Sequence, residues 1–125
     1  RTGGDMYKLM IVDDSNIIRN RIQRAYQGER FMLVATAGNG VEALNKFKLH
    51  KPDVITMDLT MPQMDGLDAI EQIVALDSSV RILVVSALSD KSTGIKALAL
   101  GASGFLCKPF SEEELIDALD ELVTD

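Results

Sequence analysis

The chain has 125 residues, enough for one domain with a buried core and too few for a second catalytic lobe. Its net charge of −6 argues against direct nucleic-acid binding, because phosphate contacts need clustered lysine and arginine. No apolar stretch approaches the roughly 18 residues of a membrane span, nothing at the start resembles a signal peptide, and the single Cys107 implies no disulfide. We therefore expect a cytoplasmic protein without membrane contact, with residues 1–5 as an artificial leader and residues 6–125 as one domain.

Strand-like and helix-like patterns alternate along the whole chain, which predicts βαβ units and a parallel sheet covered on both faces. We predict five strands, near residues 8–12, 31–36, 53–57, 81–85 and 104–107. We predict five helices, near residues 15–27, 40–50, 66–76, 91–100 and 112–123. The last helix has the most specific signals, because Ser111 and Glu114 form a capping box and leucines recur at helical spacing after them.

Four of the predicted strands end on a residue able to handle a phosphoryl group. The residues are Asp13 with Asp14 after the first strand, Asp58 after the third, Ser86 after the fourth and Lys108 after the fifth. The carboxyl ends of parallel strands lie on one edge of the sheet, and ligands of open α/β sheets bind in the crevice outside that edge. We therefore expect all five side chains to converge on one pocket.

Three carboxylates in one pocket repel each other, and a divalent metal ion would relieve that repulsion. Oxygen ligands from Asp13, Asp14 and Asp58 suit Mg²⁺, whereas zinc is disfavoured because no histidine or cysteine is near. Asp58 is the candidate nucleophile, because it stands alone on the central strand while the other two are better placed to hold the ion. Its attack on a phosphoryl donor would form an acyl phosphate, with Lys108 neutralising charge.

Each of these features also has a simpler interpretation. Asp13, Asp14 and Ser15 are common helix caps, Asp58 is a common turn residue, and Lys108 is typical of a solvated charge before a helix. The conjunction of suitable groups at four strand ends favours the pocket.

A competing function is a metal-dependent phosphatase or phosphotransferase acting on small molecules. A haloacid-dehalogenase-like enzyme would also need a second aspartate at the position that Thr60 holds.

Four segments carry a family resemblance: residues 11–15 (IVDDS), 57–66 (MDLTMPQMDG), 86–87 (SA) and 101–110 (GASGFLCKPF). Together they resemble the receiver domain of two-component response regulators, over about residues 7–124. The resemblance implies a flavodoxin-like (βα)5 fold, a doubly wound parallel sheet of five strands in the order 2-1-3-4-5. It also implies that Asp58 accepts a phosphoryl group from a histidine kinase or its phosphotransfer domain.

The resemblance further implies a role for each pocket residue. Asp14 would ligate Mg²⁺ directly, Asp13 would act largely through water, and the backbone carbonyl of Thr60 would supply a third ligand. After transfer, Ser86 would contact the phosphoryl group and Lys108 would pair with it. The peptide bond from Lys108 to Pro109 is expected to be cis, a form rare enough to need enforcement by the surrounding structure.

The family's output surface implies an expected partner, either an output protein or a fused effector domain, with chemotaxis as one pathway. Phosphorylation would change the surface around the fourth helix, fifth strand and fifth helix. At the switch position many members have tyrosine, where this chain has Phe105. Phenylalanine has no hydroxyl group, so a switching step that needs the tyrosine hydroxyl is absent, but rotation of the ring is still expected.

The kinase is expected to dock on the first helix and on the loop after the fifth strand. Ile17 is the candidate anchor on the helix, because it lies off the apolar stripe that should face the core. Pro109 and Phe110 are the candidates on the loop.

Overall fold

Strand and helix alternate in the computed structural model, which describes residues 6–25, 30–59, 66–87 and 91–124. The strands are β1 (Tyr7–Val12), β2 (Phe31–Ala37), β3 (Val54–Asp58), β4 (Arg81–Ala87) and β5 (Gly104–Lys108). The helices are α1 (Asn16–Ala25), α2 (Gly40–His50), α3 (Gly66–Leu76), α4 (Lys91–Ala99) and α5 (Glu112–Val123). All ten elements were predicted in kind and order; the expected end of the first helix, at residues 26–27, lies outside the described residues. Within the described ranges, no helix combines the length and apolar character that crossing a bilayer requires.

The five strands form one parallel sheet in the order β2-β1-β3-β4-β5, which confirms the flavodoxin-like prediction. After β2 the chain crosses over β1 to form β3, so the strand order reverses between β1 and β3. A crevice opens at such a reversal, outside the carboxyl ends of the two strands. The topology therefore places the ends of β1 and β3 at the rim of one crevice.

Each face of the sheet has its own apolar core, because strand side chains alternate between faces. One core lies under α2, α3 and α4 and includes Met10, Ile55, Met57, Ile82 and Val84 from the strands. The other lies under α1 and α5 and includes Leu9, Ile11, Val54, Leu83 and Val85. All five residues of β3 are buried, as expected for the central strand of a doubly covered sheet.

The ends of α1 and α5 are fixed by serine side chains. Ser111 Oγ accepts from the backbone of Glu114, whose carboxylate accepts in return from the Ser111 backbone, which confirms the predicted capping box. Ser15 Oγ accepts from the backbone N–H of Ile18, at 3.3 Å. Because α1 follows β1 and α5 follows β5, both helices begin at the carboxyl edge of the sheet, where the crevice lies.

The edge strand β2 contains an irregularity. Leu9 of β1 pairs with Leu33, but the next residue, Met10, pairs with Ala35, so Val34 is an extra residue in β2. Such a bulge bends the strand and increases its twist.

Thr56 in the middle of β3 is buried, and its hydroxyl has no hydrogen-bond partner among the described residues. A buried polar group without a partner costs about 1–3 kcal/mol. We expect Thr56→Val, which keeps the shape and removes the hydroxyl, to raise the free energy of unfolding by about 1 kcal/mol. Urea denaturation followed by circular dichroism measures this change. Thr56→Ser keeps the hydroxyl, removes the methyl group and should lower stability; a loss in Thr56→Val would mean that the hydroxyl is paired in solution.

Candidate functional site

Three carboxylates meet at the carboxyl edge of the sheet. Asp58 is the last residue of β3, and Asp13 directly follows β1, whose Val12 is in register with Met57. The register therefore sets Asp13 beside Asp58, and one oxygen from each of these and from Asp14 lie within 4.8 Å of one another. Asp13 and Asp58 are only 1% and 2% exposed, whereas Asp14 faces solvent. The predicted acidic cluster is thus formed, with one wall open to water.

Lys108, the last residue of β5, reaches across the pocket. Its Nζ lies 2.9 Å from Asp13 Oδ2 and 3.9 Å from Asp58 Oδ2. Because both carboxylates are buried, this ion pair is weakly screened, and losing the lysine would leave them uncompensated. One ammonium does not balance three carboxylates, so the donor set fits a hard divalent cation such as Mg²⁺.

Residues 13–15 were interpreted either as a helix cap or as part of the acidic pocket, and in the structure they are both. Asp13 Oδ1 accepts from the backbone N–H of Ser15, at 2.9 Å, and Ser15 caps α1. The Oδ2 atom of Asp13 pairs with Lys108. Both oxygens of Asp13 thus already contact protein donors, while Asp14 stands at the solvent side of the cluster.

Ser86 lies at the same edge but belongs to the other face of the sheet. It is buried in β4 and alternates with Val85, so it continues the row of Ile82 and Val84 under α4. Phe105 of β5 packs partly buried against that same core. The two predicted switch residues thus share the α4 side, while Asp58 and Lys108 continue the rows that face α1 and α5.

The loop after β5 is held to α1 by Arg21, a residue that the sequence did not single out. Its guanidinium donates to the backbone carbonyl of Phe110, at 2.8 Å, and lies 5.0 Å from the centre of the Phe110 ring. The peptide bond from Lys108 to Pro109 is cis, as the resemblance implies. Arg21 therefore fixes the loop that directly follows Lys108.

Arg19 and Gly66 also support the pocket. The Arg19 guanidinium donates to the backbone carbonyl of Asp13 and to the side chain of Asn16. Gly66 begins α3 so close to β3 that a Cβ atom there would lie 2.5 Å from the backbone oxygen of Asp58. Glycine at this position is the sequence signal of that close approach.

The predicted docking residues differ in accessibility. Ile17 is 72% exposed, while Ile22 and Ala25 of the same helix are buried, as the helical spacing predicts. Pro109 is exposed, but Phe110 is only 4% exposed beneath Arg21. The Phe110 ring therefore supports its loop from inside instead of offering a surface. Thr60, expected to supply a backbone ligand, lies outside the described residues.

A doubly wound sheet with an acidic pair, a central aspartate and a lysine at its carboxyl edge defines a receiver domain. A family model described as the response regulator receiver domain matches residues 9–120, and the chain belongs to that family. It is 40% identical over 116 residues to the chemotaxis protein CheY of Listeria monocytogenes, covering 93% of this chain and 98% of that protein. It is 38% identical to CheY of Bacillus subtilis, covering 92% of this chain and 96% of that protein.

Solved structures agree with these relationships. The crystal structure of the CheX–CheY–BeF3–Mg²⁺ complex from Borrelia burgdorferi superposes with a TM-score of 0.89 at 30% identity, covering 95% of this chain and 90% of that one. The predicted identity and fold class are thus confirmed.

Proposed function

We propose that this receiver domain is a switch that takes a phosphoryl group onto Asp58 from a histidine kinase or its phosphotransfer domain. The observation that carries the proposal is the cluster of three carboxylates within 4.8 Å, with Lys108 in ion-pair contact with Asp13 and Asp58. Chemotaxis is the pathway that the CheY relatives suggest. Family membership favours this function over a phosphatase or phosphotransferase acting on small molecules.

In the proposed reaction, one carboxylate oxygen of Asp58 attacks phosphorus in line with the P–N bond of a phosphohistidine. The new O–P bond makes an acyl phosphate, and the electron pair of the broken P–N bond stays on the imidazole, which takes a proton from solvent. Lys108 is close enough to neutralise charge on the transferred oxygens, because its Nζ lies 3.9 Å from Asp58 Oδ2. Burial of Asp58 restricts the approach of competing water.

Asp13, Asp14 and Asp58 would hold Mg²⁺, with Asp14 as the most direct ligand and the Thr60 backbone carbonyl as a further one. When bound, Mg²⁺ supplies the positive charge that offsets repulsion between the carboxylates and the phosphoryl oxygens. The assignment of Asp14 is supported by its exposure and by the protein donors that already engage both oxygens of Asp13.

Phosphorylation adds about −1.5 to −2 charges and strong acceptor oxygens at Asp58. We propose that the hydroxyl of Ser86 moves toward the phosphoryl group and draws in the loop before α4. The Phe105 ring then rotates into the vacated space and reshapes the surface of α4, β5 and α5, which would contact an output protein or fused effector domain. The shared α4-side placement of Ser86 and Phe105 supports this coupling.

Asp58→Ala should abolish acid-labile phosphate incorporation from acetyl phosphate or phosphoramidate, because it removes the attacking oxygen. Intact-mass spectrometry of the treated protein measures the incorporation. Asp117→Ala, which removes an exposed carboxylate from α5, is the control and should be labelled normally. Normal labelling of Asp58→Ala would refute the assignment of the acceptor.

Asp14→Asn should weaken Mg²⁺ binding by about tenfold or more, because it removes a charged oxygen ligand. Amide NMR shifts titrated with Mg²⁺ measure the affinity without phosphorylation. Asp53→Asn, which directly precedes β3 at the opposite edge of the sheet, is not expected to change the affinity. Unchanged affinity in Asp14→Asn would leave that residue with a role at the start of α1 only.

Ser86→Ala should permit phosphorylation of Asp58 but reduce the response of α4 and β5 to less than about half of the wild-type change, because the hydroxyl that follows the phosphoryl group is gone. The response is the change in amide shifts on addition of phosphoramidate with Mg²⁺. Ser86→Thr retains a hydroxyl and should keep the response. A full response in Ser86→Ala would exclude the serine from the switch.

Ile17→Asp should slow transfer from a phosphorylated kinase or phosphotransfer domain by about tenfold or more, because it places a charge on the proposed docking face. Labelling by acetyl phosphate should be unchanged. Leu49→Asp is a matched control, since Leu49 is 76% exposed at the end of α2, away from the pocket. If Ile17→Asp slows transfer from the kinase and labelling by acetyl phosphate equally, the substitution has damaged the fold and has not specifically weakened docking.

A further inference from the structure

Gly94 lies inside α4 and is buried, although glycine is a poor residue for a helix interior. The reason is the Phe105 ring. A Cβ atom built on Gly94 would lie 2.3 Å from Cε2 and 2.6 Å from Cδ2 of that ring, closer than real Cβ atoms approach. The ring therefore occupies the volume that any other residue at position 94 would need.

This contact lies at one of the few buried positions of α4. The helix buries only two of its nine residues, Gly94 and Ala97, and both are small. Its Ile95 and Leu98 are exposed. The Phe105 ring thus contacts α4 at one of its two buried positions, on the bare backbone at Gly94, while Ala97 belongs to the core under the helix.

We propose that Gly94 is a positioning residue that seats the Phe105 ring against α4 in the resting protein. This inference rests on the proposed switching function and adds to it what holds the ring before phosphorylation. In this proposal the Phe105 ring has two positions. Contact with Gly94 favours the resting position against α4, and movement of Ser86 favours the position in the vacated space. A side chain at position 94 removes the seat and shifts the population toward the second position.

The first test is a double-mutant cycle on the unphosphorylated protein, with unfolding constants from urea denaturation. In the Phe105→Ala background, Gly94→Ala should lower the unfolding constant by about fivefold, because alanine is the better helix former and the volume is empty. With Phe105 present, that gain should vanish or reverse, giving a coupling of about fivefold or more.

A coupling within about twofold would overturn the seat, because independent positions add to that precision. Gly38→Ala serves as the control, since its Cβ would have no atom nearer than 3.6 Å. It should show no coupling with Phe105.

The second test asks whether the seat acts in switching. In Gly94→Ala, the resting amide shifts of α4 should already lie at least about halfway toward those of the phosphorylated wild type, while phosphate incorporation at Asp58 is unchanged. If phosphorylation changes the α4 amide shifts of Gly94→Ala by as much as those of the wild type, the proposed role of the seat in switching is wrong, even if the cycle shows coupling. If wild-type Asp58 takes no phosphate, the proposed function fails, and the cycle still reports on the seat.

Discussion

The ion pair between Lys108 and Asp13 is the interaction on which the site depends. It joins the ends of β1 and β5 across the intervening strands β3 and β4, at a distance of 2.9 Å. Because Asp13 is buried, the lysine is held in the pocket by strong local attraction instead of by packing. Arg21 fixes the loop behind the lysine, and Gly66 lets α3 approach the backbone of Asp58. Each supporting contact keeps this charge arrangement in place.

The two faces of the sheet divide the work of the molecule. Asp58 and Lys108 continue rows that face α1 and α5, and the proposed phosphoryl donor would dock on α1 and on the loop after β5. Ser86 and Phe105 belong to the face under α4, and α4 forms the proposed output surface together with β5 and α5. Because alternate residues of a strand point to opposite faces, Phe105 and Lys108, three residues apart in β5, lie on opposite faces of the sheet. The sheet thus places the proposed acceptor and the proposed switch residues on opposite faces.

Sequence patterns were sufficient for the ten elements and the convergence of Asp13, Asp14 and Asp58, because periodicity and strand-end position are local signals. The sheet order came from the family resemblance and not from these patterns. The support of the site was not visible in the same way. Arg21 and Phe110 meet from positions far apart in the chain, and Phe110 is buried where an exposed docking residue was expected. The pairing of Gly94 with Phe105 likewise depends on the distance between a helix and a strand, which no local pattern encodes.

The extra residue in β2 has a consequence for the molecule among its neighbours. The strand has no charged side chain over Phe31–Ala37 and forms one edge of the sheet, so its outer N–H and C=O groups offer a template to another chain. A regular strand of this composition would invite edge-to-edge association. The bulge at Val34 breaks the even spacing of those groups, so a flat incoming strand finds matching partners over only part of its length. The irregularity therefore limits pairing along this edge without a charged residue within the strand itself.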